Sequence, residues 1–98
     1  MGVPVDRLHA IITGQVQGVG FRYFVKRNAE ALSLTGYVRN LPEGQVEVLA
    51  EGSQSDLQQM QKLLELGPSG AVVIDVRLEY GPGTGKFNDF RIASNVID

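Results

Sequence analysis

The chain has 98 residues, no cysteine, a single histidine and a formal net charge of −2. This length fits one hydrophobic core, so we interpret residues 1–98 as a single domain. The lack of cysteine excludes disulfides and thiolate chemistry, and one histidine argues against a histidine-based metal cluster. Because the net charge is negative, nucleic acid is not expected as a partner, and any recognition of phosphate must be local.

No apolar run approaches the ~20 residues that a membrane-spanning helix needs. Residues 1–6 have neither a basic start nor an apolar signal segment. We therefore expect a cytoplasmic protein with no membrane partner. We also expect it to be a monomer.

Strand and helix patterns alternate along the chain. The predicted elements are a strand at 7–13, a helix at 22–34, strands at 37–41 and 45–50, a helix around 57–64, and strands at 71–80 and 87–93. This order is typical of an α+β, ferredoxin-like βαββαβ sandwich, in which two helices cover one face of a mostly antiparallel sheet. The short fifth strand lies at the C-terminal end.

Several local features of these elements can be predicted. Gly36 is expected to end the first helix with a positive φ, and Ser53 and Ser55 are both candidate N-caps of the second. The alternation in the hairpin strands puts the polar residues, Glu47 and Glu51 among them, on a solvent-facing side of the sheet. In the strand at 71–80 the residues predicted to share one face are Val72, Ile74, Val76 and Leu78. The face occupied by Phe87 stays open.

Three glycines lie between the first strand and the first helix, in the segment 14–22, which reads GQVQGVGFR. Glycine at 14, 18 and 20 permits positive φ and a close approach of the main chain to a ligand. The first-turn amides of a helix are unpaired and carry partial positive charge, so this junction suits an anion such as phosphate.

Cations follow this segment where a helix N-terminus disfavours them. Arg22, Lys26 and Arg27 lie in the first two turns of the predicted helix, and no acidic residue precedes Glu30 within it. A cation there costs about 0.3–1 kcal/mol against the helix dipole. We interpret Arg22 as functional because it adjoins the loop, whereas Lys26 and Arg27 are interpreted as solvent-facing.

The segment 14–22 resembles the first signature of the acylphosphatase family. Residues 36–40, which read GYVRN, together with Gly44, Val46 and Gly52, are similar to the second signature in residue type and spacing. The resemblance extends weakly to residues 87–92 and so spans nearly the whole chain, but not the C-terminal residues 93–98.

The resemblance implies hydrolysis of acyl phosphates to a carboxylate and inorganic phosphate, without metal or cofactor. It implies that Arg22 grips the phosphoryl group and that Asn40 orients the attacking water. The main-chain amides implied to share the phosphoryl group belong to Gln15, Val16, Gln17, Gly18, Val19, Gly20 and Phe21. Inorganic phosphate would then be both product and inhibitor. From residue type alone, Asn40 is equally well a turn residue before Leu41-Pro42.

Other interpretations are less well supported. The segment 81–86, GPGTGK, lacks both the first glycine and the final Ser or Thr of a nucleotide-binding P-loop. Gly18-Val19-Gly20 lacks the third glycine of a dinucleotide site, and His9 is interpreted as a half-exposed strand residue. A non-catalytic phosphate- or RNA-binding module is the alternative function. The sequence also leaves open a relationship to the similar domain of hydrogenase-maturation carbamoyltransferases.

Overall fold

The fold is described from a computed structural model, which places residues 5–94. The elements are β1 (Asp6–Gln15), α1 (Phe21–Ala31), β2 (Thr35–Asn40), β3 (Val46–Gly52), α2 (Gln54–Leu66), β4 (Val72–Pro82) and β5 (Phe90–Ile92). The sheet order is β4-β1-β3-β2-β5. All neighbours pair antiparallel except β2 and β5, which are parallel. The predicted ferredoxin-like fold is confirmed.

Both helices pack on one face of the sheet and share a single core. α1 buries Phe21, Val25 and Ala29, which recur every four residues and therefore share one side of the helix. α2 buries Leu57, Met60 and Leu64, and these side chains join the same cluster. Of the two candidate N-caps, Ser53 is the one used, because its hydroxyl accepts the Asp56 N–H at 3.2 Å.

Gly36 has the predicted positive φ, 135°, but the prediction that it ends α1 is wrong. The helix stops at Ala31, and Ser33, two residues later, also has a positive φ, of 57°. Gly36 instead lies in β2, where an added Cβ would stand only 1.9 Å from the Leu49 carbonyl oxygen. Close approach of two neighbouring strands explains the glycine.

The predicted face of β4 is also wrong in its first half. The pairing of β1 with β4 shifts between Thr13 and Gly14, so β4 gains one residue there. Beyond this bulge the faces exchange: Val73 packs on the core, whereas Ile74 is 74% exposed. A bulge depends on the partner strand, so alternation within β4 could not reveal it.

The last predicted strand is shorter than expected. β5 contains only residues 90–92, and Phe90 is buried in the core while Phe87 lies outside the strand. The Phe87 ring packs against Tyr37, with ring centroids 6.2 Å apart. This contact with Tyr37 accounts for the apolar Phe87 on the side of the predicted strand that is otherwise polar.

Glu51 was predicted to face solvent, but its side chain is buried. Only 2% of the residue is exposed, because the segment 83–86 folds over it. Its carboxylate accepts the N–H groups of Thr84 and Gly85, both at 2.9 Å, and the Thr84 hydroxyl at 3.1 Å. Burial raises the pKa of Glu51, but these hydrogen bonds outweigh burial and hold the pKa below its usual value. The P-loop-like segment 81–86 therefore binds a carboxylate of the chain itself, through Thr84 and Gly85.

Glu51 should make stability depend on pH. Because its pKa is lower in the folded than in the unfolded chain, its contribution is complete above the unfolded pKa and is lost as the pH falls through the folded value. We expect Glu51→Gln to lower the free energy of unfolding by about 2 kcal/mol at pH 7. The difference between the two chains should shrink below roughly pH 5. Urea midpoints of both chains, measured across this pH range, check the prediction. A stability difference between the two chains that is constant with pH would contradict it.

Candidate active site

The loop after β1 and the end of β2 lie at the same edge of the sheet. β1 and β2 both pair antiparallel with β3, so they run in the same direction and end on the same side. Val46 of β3 pairs with Ile12 on one side and with Asn40 on the other. Asn40 is thus two strand spacings, about 10 Å, from Ile12. The fold brings the two sequence motifs to one edge.

The glycines of the loop have different roles. Gly14 has a φ of 140°, and a Cβ there would lie 2.0 Å from the Val72 carbonyl oxygen. It therefore permits close packing of β1 on β4 at the bulge, and the expected approach to a ligand does not apply to it. Gly18 (φ 75°) and Gly20 (φ 78°) would place a Cβ in open space. Their need for glycine is conformational, because left-handed backbone strains any other residue.

Apolar side chains of the loop between β1 and α1 pack into the core and anchor the loop. Val16 and Phe21 are each only 1% exposed, and Val19 packs against the same core. Gln15, Gly18 and Gly20 remain exposed. The loop thus has fixed anchors on its inner side and accessible main chain on its outer side.

The N-terminus of α1 presents unpaired N–H groups. Its N-cap is Gly20, which has no side-chain cap, and the first turn contains no acidic residue. The first backbone hydrogen bond of the helix runs from the Phe24 N–H to the Gly20 carbonyl. In residues 5–94, no N–H of residues 16–20 donates to another residue. Several donors and the positive end of the dipole therefore remain available to an anion.

The three cations of α1 have different surroundings. Arg22 is half-buried in the first turn, and no ion pair with another described residue involves it. Lys26 is paired with Glu30 at 2.7 Å, one helical turn away. Arg27 is exposed. Arg22 is therefore the cation best placed to share an anion with the loop.

Asn40 is the last residue of β2, and its side chain has an unusual environment. It pairs with the buried Val46, so the two side chains lie on the helix-covered face. Its Oδ1 atom is buried but accepts no hydrogen bond from any residue in the described part of the chain. A buried acceptor without a partner is costly, and a ligand or water bound at Oδ1 would explain it.

Side-chain amides connect the loop to the β2–β3 turn. Gln17 Nε2 donates to the carbonyl oxygens of Leu41 and Gln45, both at 2.9 Å. Gln45 in turn donates through its own Nε2 to the Thr13 hydroxyl at 3.0 Å. Sequence reasoning assigned only the main chain of Gln17 to the loop and missed this link.

His9 lies on the other face of the sheet. Its Nε2 is 2.8 Å from Glu47 Oε2, and Arg39 donates to the second oxygen of the same carboxylate. Burial raises the pKa of Glu47, but the hydrogen bonds from His9 and Arg39 outweigh it and keep that pKa below its usual value. His9 alternates with the core residues Leu8 and Ala10, so it faces away from Asn40.

A groove of about 540 Å³ lies elsewhere, beside the edge strand β5. Its lining includes Tyr37, Lys86, Phe87 and Arg91, and neither Arg22 nor Asn40 belongs to it. A cradle of exposed main-chain N–H groups is shallow, so it does not need a deep cavity. Among residues 5–94 no three His, Cys, Asp or Glu side chains are grouped to hold a metal ion. Neither described helix is long and apolar enough to cross a bilayer.

Comparison with known proteins agrees with the two motifs. The Acylphosphatase family model matches residues 8–92. The chain belongs to the acylphosphatase family. An acylphosphatase of Marinobacter nauticus is 42% identical over 89 residues, which are 91% of this chain and 97% of that protein. Such relatives identify the chain as an enzyme of the acylphosphatase type.

Solved structures show the same domain in two settings. The crystal structure of acylphosphatase from Bacillus subtilis matches with a TM-score of 0.87 and 35% identity, over 90% of this chain and 98% of that one. Full-length HypF in its phosphate- and nucleotide-bound form matches with a TM-score of 0.84 and 30% identity. That match covers 96% of this chain but 13% of HypF. The acylphosphatase fold therefore also occurs as a small part of a longer protein.

Proposed function

We propose that the chain hydrolyses the carboxyl–phosphate bond of acyl phosphates, giving a carboxylate and inorganic phosphate without a metal or cofactor. Arg22 and the main-chain amides of residues 15–21 bind the phosphoryl group, and Asn40 orients the attacking water. The observation that carries this proposal is the buried, unpartnered Oδ1 of Asn40, at the sheet edge where the loop exposes its N–H groups. Asn40 Oδ1 can hold water, and the N–H groups of the loop can hold phosphate.

Phosphoryl transfer suits this small set of groups. Its transition state spreads negative charge over the three equatorial oxygens, so positioning and charge stabilisation supply most of the acceleration. The guanidinium of Arg22 can make two parallel hydrogen bonds to such oxygens. The N–H groups of the loop and of the first turn of α1 are already oriented, so they need no reorganisation during the reaction.

The water is held by an acceptor that stays neutral at every working pH. Asn40 Oδ1 accepts a hydrogen bond from water and thereby directs a lone pair of the water oxygen towards phosphorus. An amide is too weak a base to take the proton early, so the proton passes to a phosphoryl oxygen of the substrate. The bond from the water oxygen to phosphorus forms as the bond from phosphorus to the acyl oxygen breaks.

The leaving group explains why no strong general acid is needed. A carboxylate departs as a stable anion, unlike the alkoxide of a simple phosphate ester. Arg22 and the loop amides supply the positive charge that a metal would otherwise provide, which supports a reaction independent of metal.

The same proposal takes residues 1–98 as one domain that acts as a cytoplasmic monomer. Its ligands are a small-molecule acyl phosphate and inorganic phosphate, and nucleic acid and membranes are not among its partners. Support comes from the family match over residues 8–92 and from the net charge of −2.

Hydrolysis of benzoyl phosphate tests the proposed function. We expect turnover that is unchanged by EDTA and is inhibited competitively by inorganic phosphate, because both anions would occupy the same N–H groups. Release of benzoate is followed by its absorbance, with heat-treated protein as the control. Activity that is lost in EDTA and restored by Mg²⁺ would refute the metal-free reaction, and an inactive chain would refute the function.

A further inference from the structure

The side chain of Gln17 bridges two segments that are distant in sequence. Its Nε2 donates both hydrogens, one to the Leu41 carbonyl and one to the Gln45 carbonyl, each at 2.9 Å. The acceptors are 24 and 28 residues away along the chain. Leu41 directly follows Asn40. One amide group of the phosphate loop is therefore fixed to the peptide next to the proposed water-binding residue.

The β2–β3 turn that accepts these bonds is rigid. The Leu41 N–H donates to the Gln45 carbonyl at 2.8 Å, and the Gly44 N–H donates to the Leu41 carbonyl at 3.2 Å. Pro42 also restricts the main chain within the turn. Both acceptors of Gln17 therefore have fixed positions relative to Asn40.

The loop has anchors of its own besides this bridge. Val16 and Phe21 anchor it in the core, and Val19 packs beside them. Loss of the Gln17 side chain should thus leave the loop folded but free to shift relative to β2. The bridge thus links the two segments, and each segment also has contacts of its own.

We infer that Gln17 is a positioning residue, which sets the separation between the phosphate loop and Asn40. This inference rests on the proposed function, in which the loop holds phosphorus and Asn40 holds the water. Gln17 touches neither reacting atom through its side chain, and it acts through the placement of the loop. A displacement of about 1 Å between nucleophile and phosphorus can cost roughly a hundredfold in rate.

The test replaces Gln17 with Met, which keeps the length of the side chain and removes both donors. We expect kcat for benzoyl phosphate to fall by roughly tenfold to a hundredfold. The inhibition constant of inorganic phosphate should change by less than about threefold, because the loop amides and Arg22 remain in place. The matched control is Gln45→Met, which removes the bond to Thr13 but keeps the Gln17 bridge. It should retain kcat within about twofold, since its main-chain carbonyl still accepts.

A double-mutant cycle with Asn40→Ala separates positioning from general loosening. If Gln17 acts through Asn40, then Gln17→Met should cost little further kcat in the Asn40→Ala chain. The inference would be overturned if Gln17→Met lowered kcat equally in the unaltered chain and in the Asn40→Ala chain. It would also be overturned if Gln17→Met left kcat of the unaltered chain unchanged, or raised the phosphate inhibition constant by as large a factor as it lowered kcat. A control variant that loses as much kcat as Gln17→Met would also overturn it.

Two further measurements make the outcome decisive. Urea midpoints show whether each variant is folded. If Gln17→Met does not fold, Gln17→Asn replaces it, because Asn keeps the amide on a side chain that is one methylene shorter. Gln17→Asn should lose kcat with phosphate inhibition retained, and full kcat would contradict the inference. If the unaltered chain is inactive, the proposed function and this role of Gln17 are both refuted. If the unaltered chain is active but the Gln17 variants keep its kcat, only the role of Gln17 is refuted.

Discussion

Arg22→Gln is expected to lower kcat/KM for benzoyl phosphate by roughly a thousandfold or more, and to weaken phosphate inhibition in parallel. In the proposed site, the side chain would lose its charge and a two-pronged contact with the phosphoryl oxygens, both of which would act on ground state and transition state. Stability should not fall, because the cation opposes the helix dipole by about 0.3–1 kcal/mol. Steady-state kinetics and urea midpoints on the same protein samples measure both effects.

Two companion variants sharpen the Arg22 test. Arg22→Lys keeps the charge but cannot make the planar contact, so it should recover little of the lost activity. Arg27→Gln removes an exposed cation from the same helix and should leave kcat/KM within about twofold. Near-normal turnover in Arg22→Gln would show that the phosphate site has been placed wrongly.

Asn40→Ala is expected to lower kcat by roughly a hundredfold, while the inhibition constant of phosphate stays within about twofold. In the proposed role, the lost interaction holds the attacking water and is needed mainly along the reaction path, so phosphate affinity should report little of it. The folded chain should not be destabilised, because Oδ1 accepts no hydrogen bond from a described residue. Asn88→Ala, at an exposed position outside the strands, is the matched control.

Asn40→Asp separates the proposed role from that of a simple turn residue. The carboxylate keeps the size and an acceptor, but it places a negative charge beside an anionic substrate, so activity should be as low as in Asn40→Ala. A turn-capping Asn would instead be replaced well by Asp, and Ala would cost about 1 kcal/mol of stability with normal kcat. Reduced stability with normal kcat would remove Asn40 from the site.

The sequence was sufficient for the fold because the strands and helices bury one side each. The spacing of Phe21, Val25 and Ala29 marks the buried side of α1, and the hairpin alternation marks that of β3. The predictions failed where the conformation of a residue depends on a neighbouring strand. Gly36 is required by the Leu49 carbonyl, and the exposure of Ile74 follows from the bulge opposite Gly14. Neither effect leaves a periodic signal in its own segment.

The candidate site was predictable in its main chain but not in its side-chain links. Positive φ at Gly18 and Gly20 and the cation at Arg22 can be inferred from residue type and position. The bridge from Gln17 to the β2–β3 turn could not, because its acceptors are main-chain carbonyls, which any residue provides. The burial of Glu51 was missed for a similar reason, since two of its three hydrogen-bond donors are backbone amides.

Mapping of inorganic phosphate onto the backbone amides tests the central claim most directly. NMR shifts and amide exchange, recorded with and without phosphate, report binding residue by residue. We expect shift changes and slowed exchange centred on residues 14–22, which include the unpaired N–H groups of residues 16–20, and their loss in Arg22→Gln. Changes centred on the groove lined by Lys86 and Arg91, with residues 14–22 unaffected, would contradict the account.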